Sequence, residues 1–404
     1  MKKTLFLLLS ALLTMAGTSH AHDLEPLHVD GRYLKNPQGD IVTLHGFEQT
    51  YGAEDDPGYV RWNGQDVEAC LKYKMQAVDS MIAAGWKMDY VRLMLATDWW
   101  SCPYSVDHTP RFELFRKYFE ELCLPMIDFF HSRGIYTLLF GLENSYFPSK
   151  QEQQRFLLYW DYISSHPRIR NNPGVMFELH NEPDYNGEVV YEDFGKAWTD
   201  WMQPVVDKIR SHCDNVIFVP AISQTFRGFA DFPLKGGNIG YQTHYYPTWD
   251  GGRGIEKDWD TGGRLTLSNF APLIITELAW WGDREVKEGD SSGFYVGTTT
   301  DFGKPLKEVM DKYGNVSWNS YMGNEIYYIW VNRPSEDGTL EWWNDPESCF
   351  VPLFDWYKEY AKTKVLPVSQ LKAKNVTLGD VPTTMQPGDT YSLKMMAEFT
   401  NGMT

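Results

Sequence analysis

Two glutamates in this chain close apolar runs: Val175-Met176-Phe177-Glu178-Leu179-His180-Asn181-Glu182-Pro183, and Pro272-Leu273-Ile274-Ile275-Thr276-Glu277. Two carboxylates delivered from two strand ends are the minimum equipment for cleaving a glycosidic bond, one serving as acid and then base, the other as nucleophile. Pro183 cannot extend a ladder, so the first run stops there. Strand alternation then sets Glu178, His180 and Glu182 on one side, with Glu182 nearest the strand's mouth.

Something must hold those two strand ends side by side. Short β-rich runs are expected at Val42–His45, Tyr90–Leu95, Tyr136–Leu142, Val175–Leu179, Val216–Pro220, Gly240–Tyr245, Leu273–Glu277 and Ile326–Trp330. Helical patterns lie between them at Asp66–Ala84, Phe112–Ser132, Gln151–Ser165, Tyr191–Cys213, Lys304–Tyr313 and Pro352–Lys362, several followed by a capping glycine such as Gly85, Gly134 or Gly314. After the fifth and sixth strands no helix is evident, and Gly251-Gly252-Arg253-Gly254 and Thr261-Gly262-Gly263 read as loop. The alternation predicts an α/β fold, a (β/α)₈ TIM barrel, with a doubly wound sheet as the alternative architecture. Either places functional groups at the carboxyl ends of the strands.

On these residues the chain resembles glycoside hydrolase family 5, the cellulase-like retaining β-glycanases, over roughly residues 25–365. Phe177–Pro183 is similar to that family's fourth-strand signature and Thr276-Glu277 to its seventh-strand motif. Tyr90-Val91-Arg92-Leu93 resembles the second-strand arginine, Thr243-His244-Tyr245-Tyr246-Pro247 the sixth-strand His-x-Tyr, and Tyr328-Ile329-Trp330 the eighth-strand tryptophan. The resemblance implies Glu182 as acid/base, Glu277 as nucleophile and Asn181 on the sugar 2-hydroxyl. Arg92, His244, Tyr246 and Trp330 complete the set the resemblance implies, and His45, read from its place on the first strand as a site-wall histidine, joins the expected substrate-binding residues. Arg92 and the Tyr246 hydroxyl would keep Glu277 ionised, while burial and the opposing Glu277 charge would hold Glu182 protonated. One departure stands out: Leu139–Asn144 carries no histidine where the family commonly ends its third strand with one.

Other groups have blander readings. Glu143 is a substrate or structural carboxylate, Glu178 a buried brace, and Glu48 a sugar contact or a solvated side chain. Trp99, Trp100, Trp249, Trp280 and Trp281 follow strand ends and are candidate sugar platforms or core. With 16 Trp and 24 Tyr the chain holds more aromatic surface than its core requires, so part of it should line a cleft.

The ends of the chain add context. Lys2-Lys3, the apolar stretch Leu5–Ala16 and Ser19-His20-Ala21 read as a signal peptide over residues 1–21, which implies a secreted bacterial protein, periplasmic or extracellular. Residues 22–365 form the catalytic domain. Residues 366–404 read as a β-rich segment, the opening of an incomplete immunoglobulin-like module. A net charge of −17 argues against nucleic acid and anionic membranes as partners, no apolar segment is long enough to insert in a membrane, and a monomer is expected. No cofactor and no metal is expected: Cys70, Cys102, Cys123, Cys213 and Cys349 form no CxxC pair, and the histidines show no HxH or HExxH spacing. The function these readings predict is a secreted endo-acting β-1,4-glycan hydrolase, endoglucanase-like, with a polysaccharide substrate. The same chemistry on xylan or mannan, and a non-catalytic carbohydrate-binding barrel, are the alternatives.

Overall fold

A computed structural model describes residues 24–49, 67–95, 109–141, 146–147, 150–182, 184–185, 194–220, 226–250, 254–261, 264–283, 291–321, 345–362, 373–378 and 395–399. Eight parallel strands close into a barrel: β1 (His45–Gln49), β2 (Tyr90–Met94), β3 (Tyr136–Phe140), β4 (Val175–Glu178), β5 (Ile217–Pro220), β6 (Ile239–Tyr245), β7 (Leu273–Leu278) and β8 (Val316–Ser320). Helices follow each strand, the longest being Val67–Ala83, Lys150–Ser165 and Phe194–Arg210. The fold is thus the (β/α)₈ barrel.

Two expectations are corrected by this architecture. The connections after β5 and β6 carry short helices, Phe226–Asp231, then Ile255–Thr261 and Arg264–Ser268, too brief to show a helical period beside their glycines. The eighth strand is Val316–Ser320, ahead of Ile326–Trp330, which lies outside the described residues. Its polar residues hid it. Ser317 Oγ accepts the Leu44 N–H at 2.9 Å, and Asn319 donates to the Thr276 carbonyl at 2.6 Å while accepting from the Tyr90 hydroxyl at 2.7 Å. A barrel interior accepts such groups when each has a partner.

The barrel interior is layered. Tyr90, Leu138, Met176, Phe218 and Ile274 form an apolar lower layer, capped at the amino end by Leu27 and Leu34 from an N-terminal hairpin (His28–Asp30 and Tyr33–Lys35). One inward position further along β2 and β4 the side chains become Arg92 and Glu178. The same strands therefore anchor a dry floor below and present charge above. Outward residues such as Val91, Leu93, Leu139 and Phe177 pack against the helices. Gly46 sits where a Cβ would lie 2.6 Å from the Tyr90 ring and carbonyl, so only glycine admits that close strand approach. Gly314 ends the helix Lys304–Tyr313 in a left-handed turn (φ 64°), its N–H bonded to Met310 O at 3.1 Å.

Beyond the barrel, Ala373–Leu378 pairs antiparallel with Met395–Phe399. The proposed signal segment lies outside the described residues. No helix among the described residues is long and apolar enough to cross a membrane.

Candidate active site

Arg92 organises the carboxyl end of the barrel. It is fully buried, and its five N–H groups meet five acceptors. Nε and Nη2 grip Glu178 in a two-point contact at 2.8 and 2.6 Å, Nη2 also reaches Asn181 Oδ1 at 2.6 Å, and Nη1 is divided between Glu48 Oε2 at 2.7 Å and Glu277 Oε1 at 2.8 Å. The guanidinium plane lies 3.6 Å from the centre of the Phe140 ring, which completes its dry enclosure.

Glu277 reaches this cluster through a local irregularity. Thr276 faces the axis: its hydroxyl donates to Glu178 Oε1 at 3.1 Å and accepts from Gln242 Nε2 at 2.8 Å. Alternation would send the next residue outward, but the β6/β7 pairing slips by one residue after Thr243 and Ile275, so His244 stands opposite Glu277. That bulge brings two consecutive side chains to the mouth. The second oxygen of Glu277 then accepts the Tyr246 hydroxyl at 2.7 Å.

Glu182 approaches from the other side. His244 Nδ1 is 2.6 Å from Glu182 Oε1 and 3.3 Å from Glu277 Oε2, and the ligating atoms of the three residues lie within 4.8 Å of one another. Three such donors could also surround a cation. Both Glu277 oxygens already accept hydrogen bonds, one from Arg92 and one from Tyr246.

The electrostatics depart from expectation at one point. Burial raises the Glu182 carboxyl, but the His244 charge and hydrogen bond, with help from Arg92, outweigh it and leave Glu182 below the usual glutamate value rather than above it. His244 moves the other way: burial opposes its charge, yet Glu277 and Glu182 raise it above the usual histidine value. The resting proton of this pair therefore sits on the imidazole side.

Arg92, Asn181, Glu182, His244, Tyr246 and Glu277 come together. His45 does not. It is the first residue of β1 and shares the outward parity of Phe47, so it stacks on Tyr360 at 3.9 Å, contacts Trp318 edge-on and bonds Asp89 at 3.2 Å in the helix layer. Its expected place on the substrate is corrected by strand parity. His180 also leaves the axis, because β4 ends at Glu178 and alternation ends with it; the ring stacks on Phe156 at 5.2 Å. Trp330, Glu143, Trp99 and Trp100 lie outside the described residues. Trp280 is core, bonded through its indole to Thr299 Oγ1 at 2.9 Å, whereas Trp249 is 41% exposed and edges onto Tyr246. One residue was missed by sequence reasoning: Tyr321, half-buried, directly follows β8 and stacks with Tyr295. Glu48, expected as a sugar contact or a solvated side chain, is buried on Arg92.

Residues 54–324, well over half of the chain, match the family described as cellulase (glycosyl hydrolase family 5). The chain belongs to glycosyl hydrolase family 5. It is accordingly an endoglucanase-like hydrolase of O-glycosyl bonds, and the family match ends just past β8 and before Trp330. In fold this family 5 chain is similar to a cellulase designated Cel5C_n, at 18% identity and TM-score 0.55, over 87% of this chain and 96% of that one. It is equally similar to the β-glucanase SdGluc5_26A from Saccharophagus degradans, at 18% identity and TM-score 0.55, over 84% and 94% of the two chains. No curated protein sequence matches it.

Proposed function

We propose that the protein is an endo-acting β-1,4-glucan hydrolase that works by retaining double displacement, with Glu277 as nucleophile and Glu182 as acid/base. The observation that carries this reading is the approach of the Glu182 and Glu277 oxygens to within 4.8 Å, with Arg92 and Tyr246 both on Glu277. Retaining enzymes hold their carboxyl groups about 5–5.5 Å apart, whereas inverting ones leave room for a water at about 6.5–9.5 Å. The family description, cellulase, supports a glucan over xylan or mannan.

In the first step a Glu277 oxygen bonds to the anomeric carbon, the bond to the leaving oxygen breaks, and that oxygen takes a proton from Glu182. The proton comes from His244 along the 2.6 Å Nδ1–Oε1 contact, so the pair acts as one acid. Esterified Glu277 no longer carries the charge that favoured imidazolium. Glu182, left as a carboxylate, then takes a proton from water as the water oxygen bonds to the anomeric carbon and the bond to Glu277 breaks, which frees the sugar with its configuration kept, restores the Glu277 carboxylate and returns the proton through Glu182 to His244.

Glu277→Gln and Glu182→Gln should each lower turnover of a soluble β-1,4-glucan by at least about 1,000-fold with the fold intact, as one step loses its nucleophile or its acid. Proton NMR of the first product from wild-type enzyme should show the β anomer. Near-normal turnover in either variant, or an α product, would defeat the assignment. Export as a monomer behind a cleaved residue 1–21 signal, and an appended module from residue 366, extend the same reading; N-terminal sequencing of the exported protein tests the cleavage.

A further inference from the structure

One cation, Arg92, touches three buried carboxylates. Glu178 takes two of its N–H groups and a third bond from Thr276, and Glu277 takes Arg92 on one oxygen and Tyr246 on the other. Among the described residues Glu48 has the single bond from Nη1, although its side chain is only 1% exposed. Three buried negative charges around one guanidinium leave uncompensated charge in a dry site, and the carboxyl with the fewest hydrogen-bond donors, Glu48, is where a proton relieves it.

We propose that Glu48 is held as an uncharged carboxylic acid in the resting enzyme and is a positioning residue, its carbonyl oxygen fixing Arg92 Nη1 while the guanidinium charge is left to Glu277 and Glu178. The inference rests on the catalytic reading of Glu277. The groups that face Glu48 are consistent with it: Arg92 from β2, Glu178 from β4, Glu277 from β7, and the phenols of Tyr90 and Tyr295. Burial raises Glu48 most, Arg92 opposes, and the Glu277 and Glu178 charges add to the rise, which leaves it well above the usual glutamate range. An ionised Glu48 would instead add a third anion to the one guanidinium charge that Glu277 and Glu178 already share. The Glu48 side chain, 1% exposed, turns its bonded oxygen to Arg92.

The test compares wild-type protein with Glu48→Gln and Glu48→Ala. Infrared difference spectra of wild type minus Glu48→Gln at neutral pH should show loss of a carboxylic-acid carbonyl stretch; loss of carboxylate bands instead overturns the proposal. On a soluble β-glucan, Glu48→Ala should lower kcat about 10-fold or more with KM within about 3-fold, because one Arg92 N–H loses its acceptor and the nucleophile loses its alignment. Glu48→Gln, which offers the same carbonyl without charge, should recover most of that loss. Equal impairment of the two variants overturns the proposal, as does an undiminished Glu48→Ala. The spectra need no turnover, so they decide the state of Glu48 even if Glu277→Gln were to show that the catalytic reading fails.

Discussion

Replacing Glu48 by Gln should make the protein more stable at neutral pH, by an amount that grows with pH. An unfolded glutamate titrates near pH 4.3, so above that value, for as long as the fold keeps Glu48 protonated, stability falls by about 1.36 kcal/mol per pH unit. The sign follows from a folded value raised above the unfolded one. The contribution of Glu48 is then fully present below the unfolded value and is lost as pH rises toward the folded value. Glutamine binds no proton and escapes this loss. Its amide introduces a new N–H₂ group whose contacts add a constant offset, so the informative quantity is the difference between the two stability-against-pH curves. That difference should be flat below about pH 4 and then widen by about 1.4 kcal/mol per pH unit up to pH 7. Urea unfolding of both proteins at half-unit steps measures it. Parallel curves from pH 4 to 7 would mean that Glu48 is ionised in the fold, and the charge argument around Arg92 would fall.

Two further outcomes concern the neighbours of the pair. Tyr246→Phe removes the 2.7 Å bond to Glu277 and keeps the ring among Trp249, Phe294 and Tyr295, so the fold is kept while a buried carboxylate oxygen loses its donor and stability falls by about 1–3 kcal/mol. A bond to a charged acceptor is worth about 1.5–3 kcal/mol, which predicts a fall in kcat of about 10- to 150-fold. Burial, the Glu277 charge and other neighbours hold the Tyr246 phenol protonated well past its usual value, so the loss should be the same from pH 5 to 8; a loss under about 3-fold would refute the role. His244→Asn leaves Glu182 to hold the proton alone. The raised imidazole value no longer sets the alkaline limb of kcat/KM, which should move to lower pH; an unmoved limb would show that His244 does not share the acid's proton.

The barrel was legible because parallel strands buried on both faces must be apolar, and Tyr136–Phe140 and Leu273–Ile275 are. The rule fails where interior polar groups bond to each other. Val316–Ser320 does not read as a strand for that reason, since Ser317 and Asn319 look out of place until Leu44, Thr276 and Tyr90 are set beside them. The site was legible at residues bound to motifs, Glu182 and Glu277 above all. It was not legible where one step of parity decides. His45 and Glu48 are three residues apart on one short strand, and that spacing puts the first in the helix layer and the second on Arg92. Glu277 illustrates the converse: simple alternation points it away from the axis, and only the slip opposite His244 brings it in. No local pattern in Leu273–Leu278 announces a bulge, because the bulge is a property of the pairing with β6.

The misassigned proton of Glu182 follows from the same limit. Burial and a facing carboxylate raise a glutamate, and from the sequence those were the two influences that could be named. What decides is a 2.6 Å contact with His244, whose ring is itself raised by both glutamates. The site does not need a high Glu182 value at rest if the pair can deliver the proton when the leaving oxygen calls for it, and the low value is what the second step requires. Esterification of Glu277 removes a negative charge that favours both imidazolium at His244 and protonated Glu48. Both groups then become more acidic at once, on opposite sides of the nucleophile. Arg92 loses an anion at Glu277 and can regain one at Glu48, which would keep the guanidinium fixed through the intermediate while Glu182 acts as base.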